Sequence, residues 1–293
     1  MAKTIHLTPA DNLQEQFDRA APGTVFHLAP GLYHQKVMIK TPGITLIGNE
    51  EEESAIDWDD YANKRDENGV EYNTFRTWTV AVCADNVTMR NLTIQNTAHY
   101  PEVKGQEVAL SVLGDHFLME NCLLYSTQDT LFCGPLPPDL IERYQGFHRQ
   151  ELLSPAPSRQ VYRNCLIQGS VDFIFGCGDA VFENCEIRSM FDVRMVGYVA
   201  APAHSKEQNH GFLFRNCRFT AENGVPSRSI YLARPWRDYG LCRFVNCTYD
   251  RHIALAGFDP WNDSGRDHTA RFHEFPTVPG RVPWAKDVET EFR

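Results

Sequence analysis

A short motif recurs six times along this chain, and its spacing constrains the fold more than any other feature. Each copy places apolar residues on both sides of an asparagine, which cysteine follows in five copies and leucine in one. The asparagines are Asn91, Asn121, Asn164, Asn184, Asn216 and Asn246, at intervals of 30, 43, 20, 32 and 30 residues. A period of about 20–50 residues is typical of solenoid proteins.

Each copy of the motif reads as two short strands separated by one polar break. Asparagine suits such a break because it tolerates a left-handed backbone and hydrogen-bonds its own main chain. Coils stacked in register would align the asparagines in a ladder and place Cys, Leu and Val inside. The strands are too many, and helical periodicity is too weak, for repeated helix pairs. The sequence therefore predicts an all-β fold, a single-domain right-handed parallel β-helix.

Length, composition and charge narrow the class of protein further. A solenoid grows in one dimension, so we expect the 293 residues, 42% of them hydrophobic, to form one domain over 1–293. The formal net charge of −10 argues against nucleic acid as a partner. With no run of 18 apolar residues, no membrane span is predicted. The first residues have no apolar signal core, so we expect a cytoplasmic protein, or a secreted one if a leader was removed.

Nine cysteines raise the question of disulfides or metal ligands. Their number is odd, and five of them occupy the same slot in the repeat. The sequence contains no Cys-x-x-Cys pair and no His pair with metalloprotease spacing. We predict reduced thiols that pack in the core, with no metal site. Reduced thiols fit the cytoplasm better than an exported protein.

The ends and one internal segment depart from the repeat. Thr8, Pro9 and Asp11 form a helix-start pattern, and the amphipathic stretch 13–20 would close the open end of the solenoid. The Pro-rich tail, 275–293, is expected to pack along the outside with Trp284 as an anchor. The Pro-rich segment 134–158 is treated as an inserted loop that overhangs a cleft. Its alternative interpretation is a surface decoration without a role.

Two acidic residues stand in otherwise uncharged surroundings. Asp129 lies in Gln-Asp-Thr-Leu (128–131), and Asp172 lies in Gly-Ser-Val-Asp-Phe-Ile-Phe-Gly (169–176). A buried carboxylate is costly unless it is paired, and its pKa tends to shift. The two side chains could serve as nucleophile and proton donor. The alternative is that both are structural residues that cap turns between strands.

These motifs give the chain a resemblance to a known family. It resembles the pectin methylesterases (pectinesterases, carbohydrate esterase family 8) over nearly its whole length, from about Leu13 to Trp284. The similar segments are Gly31-Leu32-Tyr33, residues 105–110, the two Asp motifs and Arg234-Pro235-Trp236.

The resemblance implies a role for each matching residue. Asp172 would be the nucleophile, and Asp129 the general acid and then the general base. Gln106 and Gln128 would form the oxyanion hole, and Arg234 would hold and ionise Asp172. Trp236 would line the sugar site. Apart from the resemblance, Phe132, Phe173 and Phe175 alternate along strands, so at least one should line the cleft, with Phe132 and Phe175 as candidate substrate-binding residues. No metal or cofactor is implied.

The implied reaction removes methyl esters from the galacturonate units of pectin or of oligogalacturonides and releases methanol. It would belong to pectin degradation or cell-wall modification. Two neighbouring carboxylates cannot both ionise cheaply, so one pKa rises, and an adjacent Arg decides which group stays charged. The segment 134–158 and the absence of a leader favour short oligogalacturonides over polymeric pectin.

The chain departs from the family pattern at several positions, and alternative functions remain open. Glu107 replaces the family's usual alanine, and Ser170, Ala233 and Phe132 are further differences. Gln106 and Gln128 could instead hydrogen-bond strand edges, and Trp236 could be a core residue. A β-helix polysaccharide lyase or hydrolase acting on pectin is the alternative enzyme, and a non-catalytic β-helix is the alternative to an enzyme.

Overall fold

A computed structural model describes residues 3–98, 105–156 and 158–292. Over these ranges the chain coils through three sheets, and every pair of neighbouring strands in them is parallel. This is the parallel β-helix that the repeat predicted. Position 157, within the segment 134–158, and position 293, at the end of the tail, lie outside the described residues.

The eleven-stranded sheet carries the first half of each repeat. In spatial order its strands are β1 (Thr4–Leu7), β2 (Val25–Leu28), β5 (Thr45–Ile47), β8 (Thr88–Arg90), β11 (Phe117–Glu120), β14 (Arg159–Arg163), β17 (Asp179–Glu183), β20 (Phe212–Arg215), β23 (Leu241–Val245), β25 (Arg271–Phe275) and β26 (Lys286–Asp287).

The eight-stranded sheet carries the second half. Its strands are β3 (Gly31–His34), β6 (Ser54–Trp58), β9 (Thr93–Asn96), β12 (Leu123–Tyr125), β15 (Leu166–Gly169), β18 (Glu186–Ser189), β21 (Arg218–Ala221) and β24 (Thr248–Tyr249).

The seven-stranded sheet closes each coil and carries the functional site. Its strands are β4 (Val37–Ile39), β7 (Val80–Val82), β10 (Leu110–Val112), β13 (Leu131–Cys133), β16 (Val171–Gly176), β19 (Gly197–Pro202) and β22 (Ile230–Ala233). The described residues also form two α-helices, α1 (Leu13–Arg19) and α2 (Pro138–Arg143), and four short 3-10 turns, Thr74–Arg76, Gln150–Leu153, Arg266–His268 and Thr290–Phe292.

The repeated asparagines stand at the corner between the eleven- and eight-stranded sheets. All six adopt a left-handed backbone, with φ between 52° and 56°. Each donates its backbone N–H to a carbonyl of the next coil, as Asn121 does to Arg163 at 3.0 Å. The side chain of Asn164 also donates to Asn121 at 3.3 Å. The corner therefore needs a residue that accepts positive φ, as the sequence predicted.

Apolar side chains stack in register inside the coil. Aromatic rings lie face to face along the eleven-stranded sheet, from Tyr162 to Phe182 at 4.8 Å, then to Phe214 at 4.6 Å and to Phe244 at 4.9 Å between ring centroids. Stacked rings of this kind bury large apolar areas. The core is thus continuous along the solenoid, which agrees with a single domain.

All nine cysteines are free thiols, as predicted. Seven are buried, and Cys83 and Cys247 are half-buried. Burial raises the pKa of Cys122, in the repeat slot, to about 12. This thiol therefore stays protonated, and the buried thiols act as small apolar fillers.

The first helix begins later than its sequence pattern suggested. Asp11 instead closes a turn, accepting hydrogen bonds from the backbone and hydroxyl of Thr8 at 2.7 and 2.9 Å. The helix starts at Leu13, with Asn12 as its cap accepting from the Glu15 amide at 3.0 Å. Leu13 and Phe17 are buried against the first coils, so α1 does close this end of the core.

The tail covers the end of the core and then packs along the outside, as expected, because Val288 clusters with Leu213 and Val245 on the outer face of the eleven-stranded sheet. Trp284 lies on the end of the core, with its ring 5.6 Å from Phe272 and 5.9 Å from Phe258. The strand β26 then pairs with β25, and Val288 is buried. Because the last coil leaves apolar rings uncovered, Trp284 anchors the tail by covering them.

The segment 134–158 folds over the outer face of the seven-stranded sheet. It contains α2 and the turn Gln150–Leu153. Four of its leucines are buried in a second apolar cluster outside the coil: Leu136, Leu140, Leu152 and Leu153. The segment is therefore a packed part of the molecule. No helix within the described ranges has the length and apolar character that crossing a membrane requires.

Candidate active site

A cavity of about 420 Å³ opens on the outer face of the seven-stranded sheet. The structure brings seven of the eight predicted site residues to its wall: Gln106, Gln128, Asp129, Asp172, Phe175, Arg234 and Trp236. They come from the coils of β10, β13, β16 and β22, so only the stacking of the solenoid joins them. Their catalytic and binding roles remain predictions.

Asp172 lies at an irregular point of β16. Its backbone is left-handed, with φ of 49°, and the register between β16 and β19 shifts between Val171 and Ile174. Such a bulge turns a side chain out of the regular alternation, and positive φ in a non-glycine residue is typical of functional sites. The motif ends at Gly176, where φ is 124° and a Cβ atom would lie 2.1 Å from the carbonyl oxygen of Cys133. The strand therefore requires glycine there.

Arg234 holds the carboxylate of Asp172 with two hydrogen bonds. Its Nε donates to Oδ1 at 2.8 Å and its Nη2 to Oδ2 at 2.6 Å. The guanidinium is sandwiched between two rings, 3.7 Å from the Tyr198 centroid and 4.0 Å from that of Trp261. A bidentate pair fixes both partners, and the rings restrict the guanidinium further. Asp172 is thus presented to the cavity in one orientation.

Asp129 lies on the neighbouring coil. Its backbone is also left-handed, with φ of 63°, and its amide donates to the carbonyl of Val171 at 3.0 Å. Gln128 forms an isolated parallel bridge with the same Val171. Both carboxyl residues are more than nine-tenths buried. The two acids therefore share one desolvated region, as the resemblance implied.

Burial raises the pKa of both carboxyl groups, but to different extents. The pKa of Asp129 is raised well above its usual range, by burial first and then by the charge of Asp172. At Asp172 burial also raises the pKa, while the hydrogen bonds and charge of Arg234 offset much of the increase. Arg234 therefore does not bring the pKa of Asp172 below its ordinary value, but it decides that Asp172 ionises first. Asp129 keeps its proton over a wider pH range.

Two glutamines, Gln106 and Gln128, line the same cavity. Gln106 lines it beside the loop 57–76, where its backbone carbonyl accepts from Ala62 at 3.0 Å. The Oε1 atom of Gln128 accepts a hydrogen bond from Nη1 of Arg194 at 3.1 Å. Because this contact occupies the oxygen, the NH₂ group of Gln128 remains as a donor. The sequence reasoning did not find Arg194.

Arg194 is held in turn by Asp192. Its Nε and Nη2 each donate to the Asp192 carboxylate at 2.7 Å, and the Ser170 hydroxyl donates to the same group at 2.9 Å. Burial opposes ionisation of Asp192, yet the hydrogen bonds of Arg194 hold its pKa below the ordinary value. The Asp-x-Arg spacing at 192–194 was the available signal, but it is too common to mark a site.

Glu107, the departure from the family pattern beside Gln106, is buried at 2% exposure. Its carboxylate accepts a hydrogen bond from the hydroxyl of Thr127, and its backbone amide donates to the carbonyl of Gln128 at 2.9 Å. The side chain therefore points away from the cavity and ties the two glutamine-bearing segments together. This accounts for a charged residue where a small one is usual.

Of the three predicted aromatic residues, two line the cavity and one lies behind its wall. Trp236 and Phe175 line the cavity with their centroids 5.8 Å apart. Phe132 is only 1% exposed and packs behind Phe175 and Phe75, at 5.0 and 5.1 Å. The structure therefore does not place Phe132 at the cavity wall, because Phe75, from the loop 57–76, covers that position.

The segment 134–158 forms one side of the cavity through Leu140, Arg143 and Tyr144. The Tyr144 hydroxyl donates to the side chain of Asn73 at 3.1 Å, which joins this segment to the loop 57–76. On the opposite side, Arg237 pairs with Asp139 at 2.9 Å. The segment thus overhangs the carboxylates, as expected from its position after Asp129.

No group of three His, Cys, Asp or Glu side chains suited to a metal ion occurs within 3–98, 105–156 and 158–292. That no metal or cofactor takes part stays a prediction.

A comparison with protein families finds a match over most of the chain. The Pectinesterase family matches residues 3–135 and 141–286, and the break between these two ranges, 136–140, lies within the overhanging segment. Two curated relatives are from Arabidopsis thaliana. Pectinesterase 31 is 30% identical over 90% of this chain and 78% of the relative, and Pectinesterase QRT1 is 30% identical over 89% of this chain and 64% of the relative. The chain thus spans somewhat under two thirds of the second relative.

Solved structures show the same fold. The pectin methylesterase PemA from Erwinia chrysanthemi superposes with a TM-score of 0.80 at 22% identity, covering 99% of this chain and 93% of that one. A pectin methylesterase from carrot gives a TM-score of 0.79 at 24% identity, over 99% and 89% of the two chains.

A parallel β-helix with paired carboxylates on its outer face defines a class of carbohydrate-active enzymes. Within that class, this chain belongs to the pectinesterase family. It is an enzyme, a carboxylic-ester hydrolase whose family membership supports the demethylesterification of pectin. The alternative of a pectin lyase or glycoside hydrolase is not favoured.

Proposed function

We propose that this pectinesterase hydrolyses methyl-galacturonate esters of short oligogalacturonides through a covalent intermediate on Asp172. The observation that carries the proposal is the unequal pair of buried carboxyl groups. Asp172 is held by two hydrogen bonds from Arg234, while Asp129 has the more strongly raised pKa. An ionised nucleophile beside a protonated acid is the combination that ester cleavage requires.

In the first half of the reaction, a carboxylate oxygen of Asp172 attacks the ester carbonyl carbon. The negative charge moves to the carbonyl oxygen, where the amide groups of Gln106 and Gln128 can donate to it. When the carbon–oxygen bond to the methoxy group breaks, Asp129 gives its proton to that group, and methanol leaves. The galacturonate is then joined to Asp172 as an anhydride.

In the second half, Asp129 is ionised and can take a proton from water. The hydroxide equivalent attacks the acyl carbon, the anhydride opens, and Asp172 is regenerated as a carboxylate. Asp129 is protonated again, and the galacturonate product leaves as a carboxylic acid that gives its proton to water near neutral pH. The cycle needs no oxidant, reductant or metal.

A coupled assay tests the reaction class directly. We expect methanol release from methylated oligogalacturonides without an increase in the absorbance of unsaturated sugar products. A lyase would produce that absorbance, and a glycoside hydrolase would shorten the chain without releasing methanol. Either result would exclude the esterase mechanism.

The preference for short substrates is supported by steric and electrostatic features. Tyr144 and Arg143, on the overhanging segment, narrow the approach to the carboxylates. The net charge of −10 repels a long polyanion more than a short one, although salt screens this effect beyond about 8–10 Å. The steric part should therefore persist at high ionic strength.

A point variant tests the steric part better than removal of the segment. Removing the segment would expose its buried leucines, whereas Tyr144→Ala trims only the cavity wall. We expect Tyr144→Ala to raise activity on polymeric pectin severalfold relative to a methylated tetramer. Gln145→Ala, on the exposed side of the same segment, is the matched control. An unchanged ratio, or a wild type that already prefers polymer, would refute the short-substrate proposal.

We propose a cytoplasmic location because the cysteine thiols are free. Nine free cysteines, seven of them buried, fit a reducing compartment. Fractionation of the source cells, with immunodetection of the chain, would test it. Recovery of the chain from the culture medium or cell wall would refute this location.

A further inference from the structure

A loop that follows β24, residues 259–266, is attached to the chain on both sides of Arg234, and we call it the clamp loop. Its first backbone N–H donates to the carbonyl of Ala233 at 3.1 Å. Near its end, Nη1 of Arg266 donates to the carbonyl of Pro235 at 3.2 Å. The clamp loop therefore has a fixed position relative to the arginine that holds the proposed nucleophile.

Trp261, in the clamp loop, has a backbone conformation that is unusual for a bulky residue. Its φ is 64°, and that of the next residue, Asn262, is 57°. A bulky residue adopts positive φ only where the surrounding structure supports it. Asp259 gives this support, because its Oδ1 accepts the backbone N–H of Trp261 at 2.8 Å. This Asx turn ties the conformation of Trp261 to the side chain of Asp259.

The turn at Asp259 is connected to the proposed nucleophile by a short chain of contacts. The Trp261 ring stacks on the Arg234 guanidinium at 4.0 Å. Arg234 in turn donates two hydrogen bonds, of 2.8 and 2.6 Å, to Asp172. Trp261 lines the cavity, whereas Asp259 is half-buried and does not line it. Any effect of Asp259 on the reaction must therefore act through other residues.

Asp259 also places a further negative charge near the proposed nucleophile. The titratable and charged groups that face Asp172 come from several elements: Asp129 beside β13, Tyr198 on β19, Arg194, Arg234 and Asp259. Burial raises the pKa of Asp172, the hydrogen bonds and charge of Arg234 and then the charge of Arg194 lower it, and the charge of Asp259 raises it. Without that last charge, Asp172 should ionise at lower pH.

We propose that Asp259 is a positioning residue for the Arg234–Asp172 pair and acts through the ring of Trp261. The inference rests on the proposed function for the role of Asp172 as nucleophile. The carboxylate of Asp259 has two separable effects. Its oxygen holds the turn at Trp261, and its negative charge makes ionisation of Asp172 less favourable.

Substitutions of Asp259 separate the two effects. The side-chain oxygen of Asp259→Asn can still accept the Trp261 N–H, whereas Asp259→Ala has no acceptor. We expect Asp259→Ala to lower kcat by about tenfold to 10²-fold, because a small misplacement of reacting groups is costly. Asp259→Asn should keep kcat within about twofold of wild type. Asp263→Ala and Asp263→Asn, at an exposed acid in the same loop, are the matched controls.

The charge effect has a readout that a purely structural role would not change. In Asp259→Asn, the rising limb of kcat/KM should move to lower pH, because the removed charge no longer opposes ionisation of Asp172. The pKa of Asp172 can be measured without substrate, by NMR of isotope-labelled aspartate carboxyl carbons, with Asp172→Asn used to assign the signal. It should fall in Asp259→Asn and stay in place in Asp263→Asn.

Several outcomes would overturn the role of Asp259. They are equal losses of kcat in Asp259→Asn and Asp259→Ala, full activity of Asp259→Ala, an unchanged pKa of Asp172 in Asp259→Asn, or equal effects in the Asp263 variants. If Asp259→Ala does not fold, Asp259→Glu replaces it, since its longer side chain keeps the charge but moves the acceptor away from Trp261, and it should lose kcat to the same extent. Failure of the proposed function would look different, because the pKa of Asp172 would then fall in Asp259→Asn while the rising limb of activity stays in place.

Discussion

Arg194 donates a hydrogen bond of 3.1 Å to Oε1 of Gln128, on a different coil of the solenoid. The contact leaves the NH₂ group of Gln128 as the donor, and the Gln128 side chain also hydrogen-bonds Asp129. Asp192 holds Arg194 by two further hydrogen bonds. The orientation of a proposed oxyanion donor thus depends on residues that never touch the reacting ester.

Arg194→Ala is expected to lower kcat by about tenfold to 10²-fold, with a smaller change in KM, since the amide of Gln128 would lose its fixed orientation. Arg188→Ala is the matched control, because Arg188 also pairs with an acid two residues earlier but lies away from the cavity. Steady-state kinetics on one methylated oligomer measures both constants. A change confined to KM would make Arg194 a binding residue instead.

Gln106→Ala and Gln128→Ala should each lower kcat by about 10²–10³-fold, because each removes a donor to the developing negative charge. Substrate affinity should change much less. If either variant raises only KM, that glutamine binds substrate and does not stabilise the transition state.

The pH dependence of stability follows from the raised pKa of Asp129. When the pKa of a carboxyl group is higher in the folded protein than in the unfolded protein, its protonation stabilises the folded state. This stabilisation is fully present below the unfolded pKa and is lost as pH rises through the folded pKa. Asn cannot ionise, so Asp129→Asn should unfold at a higher temperature than wild type near pH 7. The two proteins should converge near pH 3, below the ordinary carboxyl value of 3.8.

Thermal unfolding followed by circular dichroism at both pH values measures this difference, worth about 1.4 kcal/mol for each unit of pKa shift. Asp250→Asn, an exposed acid on a turn, should show no such difference. Equal destabilisation of Asp129→Asn at both pH values would contradict the raised pKa.

The activity should depend on pH with a rising and a falling limb. It should rise as Asp172 ionises, at a pH above the ordinary Asp pKa of 3.8 because burial raises the pKa of Asp172. It should fall at higher pH, where Asp129 loses its proton. A kcat/KM profile that stays flat to high pH would show that no protonated Asp129 is needed.

The thiol prediction is independent of catalysis. Denatured protein should titrate close to nine free thiols, whereas the native protein should react slowly because seven are buried. Mass spectrometry that detects a native disulfide would contradict the assignment of the repeat cysteines as core residues.

The sequence predicted the coil because its determinants are local. Each repeated asparagine needs positive φ at its own position, and each following residue needs a small apolar side chain, so both signals recur in every coil. The predicted start of the first helix was wrong for a reason that is also local. Asp11 matched a first-turn acid, but its carboxylate bonds Thr8, and Asn12 becomes the cap instead.

Site residues could be predicted only where they lie within a recognisable sequence motif. Asp129, Asp172 and Arg234 lie in recognisable segments, and the structure brings them together. Tyr198 and Trp261, which sandwich Arg234, come from other coils and have no distinctive neighbours in sequence. Phe132 and Phe175 occupy the same row of the sheet, and only the placement of Phe75 decides that the first is covered.

The central claim is that Asp172 forms the covalent bond to the substrate. The most direct measurement is methanol release by Asp172→Asn, purified and shown by circular dichroism to be folded. The proposed mechanism predicts a loss of many powers of ten in turnover, since an amide cannot replace the carboxylate nucleophile, while Asp250→Asn stays at the wild-type rate. Near-normal methanol release by folded Asp172→Asn would contradict the mechanism.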